Sequence, residues 1–122
     1  MAIEKSTVGV GLVDTVYVDT NANATEQAVT TTGATLYQVV LDNSANDEAV
    51  YLKVFDASSA VTVGTTVQDF TFWAPASTSL AYTVASGAVF SNGIRYACTK
   101  NNARSDTTNP DSAVTVRFLV DD

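Results

Sequence analysis

The sequence predicts an all-β protein, a two-sheet antiparallel sandwich of jelly-roll type with about eight strands. Three observations lead there. Apolar residues alternate with polar ones along short runs, as in Val114, Val116, Phe118 and Val120 against Thr115, Arg117 and Leu119. Turn-forming residues separate the runs at Gly64, Pro75, Gly87, Asn92-Gly93 and Asn109-Pro110. No segment sustains a helical period over three turns.

The elements follow in order. Residues 7–19 and 26–32 read as two weaker strands, separated by the polar stretch Asp19-Thr20-Asn21-Ala22-Asn23-Ala24-Thr25. Residues 36–42 are apolar on both faces: Leu36 and Val40 on one, Tyr37, Val39 and Leu41 on the other. Such a strand suits the inside of a sandwich or an interface. The polar cluster Asn43-Ser44-Ala45-Asn46-Asp47-Glu48 leads into residues 49–56, with Val50, Leu52 and Val54 on one face and Tyr51, Lys53 and Phe55 on the other. Two runs joined by a turn cluster read as a β-hairpin. Further strands are expected at 66–73, carrying Phe70 and Phe72, at 79–84 with Leu80, Tyr82 and Val84 inward, at 94–98 and at 113–120. The long polar segment 101–111 is expected to be mobile or held by a partner. An immunoglobulin-like sandwich is the alternative architecture, but its Cys-Trp-Cys core signature is missing.

Composition narrows the function. The 122 residues suit one domain, with the apolar content of 46% able to fill a core unaided by metals or disulfides. Thirteen acids against six scattered bases leave a net charge of -7, which disfavours nucleic acid and anionic membranes as partners. No apolar run is long enough to span a bilayer, and no signal peptide is visible at the start, so folding in a reducing cytoplasm is expected. The chain has no histidine, and its one cysteine, Cys98, shares a strand face with Ile94 and Tyr96. A buried thiol packed as a small hydrophobe is the reading favoured there over a nucleophile, which would need a base.

Other candidate sites are thin. Asp19-x-Asn21-x-Asn23 opens like a calcium loop, but position six is Ala24 and position twelve is Thr30, so a plain turn is expected and no metal is assigned. The charged group Asp42, Asp47 and Glu48 reads as a solvated hairpin tip. Asp56 and Asp69 form the best available carboxylate pair for glycoside hydrolysis, yet a chain rich in acids offers such pairs by chance. Trp73 could stack on a sugar, but Phe72-Trp73-Ala74-Pro75 reads first as packing in the core or at an interface. No catalytic residue and no cofactor is expected. The apolar positions Ile3, Val8, Val10 and Leu12 lie in a segment, residues 1–12, that is either an ordinary first strand or an arm able to add a strand to a neighbouring chain.

Several blocks have a familiar character: Leu36-Tyr37-Gln38-Val39-Val40-Leu41-Asp42-Asn43-Ser44, Val50-Tyr51-Leu52-Lys53-Val54-Phe55-Asp56, Val61-Thr62-Val63-Gly64-Thr65-Thr66, Ser79-Leu80-Ala81-Tyr82-Thr83-Val84 and Gly87-Ala88-Val89-Phe90-Ser91-Asn92-Gly93-Ile94-Arg95-Tyr96-Ala97. Over residues 34–120 the chain resembles small β-sandwich virion proteins of tailed bacteriophages, which act as capsid decoration (cement) proteins or as fibre and knob components. The resemblance implies a non-enzymatic structural protein located in the virion. It implies the major capsid protein or another virion protein as partner, and a homo-oligomer, with a trimer favoured by shell symmetry. Ile3, Val8, Val10, Leu12 and Trp73 are then the candidate interface residues. The alternatives are a fibre or tail-tip module that recognises a host surface glycan, and a secreted carbohydrate-binding module.

Overall fold

The computed structural model describes residues 3–7 and 15–122. Among the described residues nine strands run in order: β1 (Ile3–Thr7), β2 (Thr15–Ala22), β3 (Gln27–Thr30), β4 (Ala34–Asp42), β5 (Val50–Asp56), β6 (Phe70–Ala74), β7 (Ser79–Phe90), β8 (Ile94–Thr99) and β9 (Val114–Asp121). They form a five-stranded sheet in the order β1-β2-β9-β4-β7 and a four-stranded sheet in the order β3-β8-β5-β6. Every pairing is antiparallel.

With β1 set aside, β2 pairs with β9, β3 with β8, β4 with β7 and β5 with β6. The chain is thus one long antiparallel ribbon, folded back at the β5–β6 connection and rolled until β4 meets β9 and β5 meets β8. That is the jelly-roll topology. The core lies between the sheets. Val114, Val116, Phe118 and Val120 line it from one side, as their alternation predicts, and Val50, Leu52, Val54, Ile94, Tyr96 and Cys98 from the other.

Four details differ from the sequence expectation. Residues 7–19 are not one strand: β1 ends at Thr7, and β2 begins at Thr15 and runs back against it. β4 and β5 are not a hairpin, because they belong to different sheets. The segment between them is a corner, with Asp47 and Glu48 exposed as expected of a solvated tip. Asn43 and Asn46 are buried there. Asn43 Nδ2 donates to the Glu48 and Pro75 carbonyls at 2.8 and 3.0 Å. Asn46 Nδ2 donates to Asn43 Oδ1 at 2.9 Å, and Asn46 Oδ1 accepts the Ser112 N–H at 2.7 Å. Turn residues mark where a strand ends; they do not say which strand the next one joins.

The third difference is that β7 continues through Gly87 to Phe90. Thr83 pairs with Gln38 and Ala88 with Leu36, so residues 84–87 bulge out opposite Tyr37 alone. Gly87 sits at φ +80°, where a Cβ would come within 2.4 Å of Thr35 Cγ2, so only glycine fits. The same irregularity shifts the phase of β4: Leu36, Val39 and Leu41 are all buried, which strict alternation forbids. Finally, the strand expected at residues 66–73 begins only at Phe70.

Candidate functional site on the outer face of the four-stranded sheet

On β5, Tyr51, Lys53 and Phe55 point away from the inter-sheet core. An ordinary sandwich would leave them in water. Here Phe55 is buried and Lys53 is only 1% exposed. Lys53 Nζ donates at 2.7 Å to the Ala103 carbonyl and at 3.0 Å to that of Asp106. Burial pushes the Lys53 ammonium below its ordinary value, against an upward pull from the Asp106 charge. The segment 101–111, expected to be mobile or partner-bound, is therefore anchored by its own chain.

That segment is also closed on itself. The Asp106 carboxylate accepts the Asn101 N–H at 3.0 Å and the Thr108 hydroxyl at 2.8 Å. Burial acts to raise the Asp106 carboxyl, but these hydrogen bonds outweigh it and hold the group below the usual carboxylate value. Lys100 Nζ lies 2.9 Å from Glu48 Oε2 and 3.1 Å from Asp111 Oδ1, and these contacts raise it above its ordinary value. A second connection, residues 57–69, meets the first at Gly64, where a Cβ would stand 2.8 Å from Thr107 Cγ2. Arg95, also on the outer face, is paired with Glu26 at 2.5 Å and donates to the Ser58 carbonyl at 3.2 Å.

The anchored segment borders two clefts. Arg104 and Ser105 face residues 67–71 across one of about 490 Å³. Asn101 and Asn102, with Lys100, border another of about 360 Å³ whose remaining wall is Glu48, Ala49 and Tyr51. Tyr51 pairs with Trp73 on β6 and with Thr99 on β8, so the three side chains form a row on this face. Trp73 is 44% exposed.

The inner face of β6 builds a different surface. Phe70 and Phe72 stack with centroids 6.2 Å apart, Phe70 meets Phe90 at 5.5 Å and Phe72 meets Tyr82 at 5.1 Å. The Tyr82 hydroxyl donates to the Trp73 carbonyl, tying β6 to β7. Where the β7 bulge draws away, a small apolar cavity of about 140 Å³ opens among Leu36, Phe70, Phe72, Val84 and Ala88. Phe70 is 42% exposed at its rim.

Trp73 is thus neither core nor fully covered. Ile3 is partly buried against the core, in a strand paired with β2 of its own chain. Val8, Val10 and Leu12 lie outside the described residues. Asp56 and Asp69 come together, but as structural acceptors. Asp69 Oδ2 takes the Asp56 N–H at 2.7 Å, while the Asp56 carboxylate takes the Asn92 N–H at 2.9 Å and the Ser91 N–H at 3.3 Å. Asp19 is not at a loop tip: it is buried in β2 and hydrogen-bonded to Tyr96 and to the Asn21 N–H, while Asn23 caps Thr25. Asp42 accepts the Ser44 N–H at 3.0 Å, and hydrogen bonding from Ser44 holds its carboxyl below the usual value. Glu48, read as part of a solvated tip, is an ion-pair partner in a cleft wall. Among the described residues, no group of three or more His, Cys, Asp or Glu side chains could hold a metal ion.

Sequence reasoning missed the cleft formed by Tyr51, Glu48, Lys100, Asn101 and Asn102. One signal for it was available: a strand with aromatics on its nominally outward face, Tyr51 and Phe55 around Lys53, implies a covered or functional outer surface. Compared with family models, curated proteins and solved structures, the chain matches none.

Proposed function

We propose that this protein is a non-enzymatic virion structural protein, a decoration protein that binds the outer surface of a phage head. The observation that carries this reading is the distribution of exposed large hydrophobics. Among the described residues, three of the four, Val67, Phe70 and Trp73, lie on the single segment 67–73; the fourth is Val89. Apolar side chains grouped at one edge of a rigid sandwich suit contact with another protein. The partner in this reading is the major capsid protein or another virion protein. A homotrimer follows from the three equivalent edges at a shell three-fold axis. The net charge of -7 suits an outward position better than one facing packaged DNA. Mass-spectrometric copy counting on purified particles tests the reading: hundreds of copies are expected, and complete absence from particles overturns it.

A second reading, a fibre or tail-tip module recognising a host surface glycan, is favoured by one observation. Trp73 and Tyr51 stand side by side on an outer face beside a polar cleft. A count of a few dozen copies or fewer would move the assignment to this reading.

A further inference from the structure

We propose that the cleft beside Tyr51 is a binding site for a neutral saccharide of one or two rings. The inference rests on the glycan reading above and gives it a location and a ligand class. A sugar ring presents a patch of polarised C–H bonds on one face and hydroxyls that both donate and accept around its rim. Its receptor therefore needs an aromatic face and a mixed set of polar groups. Tyr51 supplies the aromatic wall, with Trp73 next to it in register. Glu48 supplies an acceptor, Lys100 a donor, and the Asn102 amide both.

The charged pair and the backbone beside it are held in place before any ligand arrives. Lys100 is fixed between Glu48 and Asp111, and the Asn101 N–H is held by Asp106. Beneath them the buried Lys53 fastens the segment to β5. Little ordering remains to be done on binding, which favours affinity from few contacts. The volume of about 360 Å³ is at the small end for ligand sites and suits a guest of one or two rings. Charge selects the class. Lys100, the one cation among the residues lining this cleft, is already matched by two carboxylates, and the chain carries a net charge of -7, so a uronate or sialate would meet repulsion there.

The test is an amide-shift titration of the intact chain with methyl glycosides of neutral hexoses, N-acetylhexosamines and 6-deoxyhexoses. Glucuronate and sialic acid serve as anionic comparators, and an array of bacterial surface polysaccharides is probed in parallel. The expected result is millimolar binding of a neutral sugar, with shifts centred on Tyr51, Asn101 and Asn102 and none from the anions. Tyr51→Ala should weaken binding about tenfold or more, and Tyr51→Phe, which keeps the ring, should retain it. Asn102→Ala, on an exposed loop position, gives a second variant should Tyr51→Ala fail to fold. Binding that maps elsewhere and ignores both positions overturns this site while leaving the glycan reading standing. Preferred binding of the anions overturns the ligand class. No binding to any member of the panel or the array overturns both the site and the reading.

Discussion

The phenol of Tyr96, on β8 in the four-stranded sheet, donates a 2.6 Å hydrogen bond to Asp19 Oδ2, on β2 in the five-stranded sheet. Both residues are fully buried, and Asp19 Oδ1 accepts the Asn21 N–H at 2.9 Å. The Tyr96 ring also packs against Phe118 with centroids 4.8 Å apart. A polar contact therefore joins the two sheets through an otherwise apolar core, and it raises the cost of any other pairing of them. Burial raises the tyrosine above its ordinary value, and the hydrogen bond to Asp19 adds to this.

Tyr96→Phe should accordingly be far more damaging than a lost hydroxyl in water. It leaves a buried carboxyl oxygen without its donor, at a cost of about 1–3 kcal/mol. The double variant with Asp19→Asn should recover part of that, giving a coupling energy of about 0.5–3 kcal/mol in urea unfolding. Strict additivity would show that the pair is not a unit.

Cys98 should be silent to thiol reagents in the native protein and react only after denaturation. Burial, followed by the nearby Asp19 charge, pushes its thiol from 9.0 up to about 12. The folded state thus keeps a proton that the unfolded state loses. The resulting stability is complete below pH 9 and is lost as pH rises from 9 toward 12, with a ceiling of about 4 kcal/mol. Lys53, lowered in the fold, contributes with the opposite sign just below its unfolded value of 10.5. Comparing alkaline unfolding of the native chain with that of Cys98→Ala isolates the thiol: the variant should lose stability less steeply above pH 9. Fast labelling of the folded protein would contradict the buried placement.

Replacing Lys53 with Met should free residues 101–111 while leaving the sandwich intact. The Ala103 and Asp106 carbonyls lose their shared donor, for about 1–3 kcal/mol. Amide exchange should quicken in that segment and stay slow in β4 and β9. Unchanged exchange there would mean that the lysine is not the anchor.

Asp56→Ala should act on stability alone, by about 1–2 kcal/mol, because its carboxylate holds the turn at residues 91–93. Glycan hydrolysis by the native chain that vanished in Asp56→Asn or Asp69→Asn would instead establish an enzyme.

Removing residues 1–12 distinguishes the two expectations for the first segment. β1 pairs with β2, and Lys5 lies 3.9 Å from Asp122 and over the Tyr17 ring. These contacts predict a lower melting temperature for the truncated chain, about 4 °C for each kcal/mol lost. A chain that melts as before but no longer assembles or binds shells would make the segment an arm.

Much of the fold was legible because strand alternation is a local property. Val114, Val116, Phe118 and Val120 announce a buried face without reference to any other part of the chain, and Ile94, Tyr96 and Cys98 do the same. Composition set an expectation about function and no more: a chain without histidine and with scattered bases offers few of the groups that catalysis and nucleic-acid binding commonly use. The candidate site was hardly legible. The sequence marks Trp73 as a candidate interface residue, but its neighbour Tyr51 reads there as one more strand aromatic.

What the tertiary structure alone decided is pairing between residues far apart in the chain. The corner at Asn43 and Asn46 resembles a hairpin turn until Pro75 and Ser112 arrive to bond it. The bulge on β7 exists only because β4 lies alongside, and it sets which β4 residues enter the core. Lys53 reads as a solvent-facing cation until a segment some fifty residues later covers it. By itself the sequence determined which residues seek burial, because hydrophobic transfer depends on the side chain alone. Where each polar group found its partner had to wait for the fold, because a hydrogen bond depends on the distance between two groups and no local pattern encodes that distance.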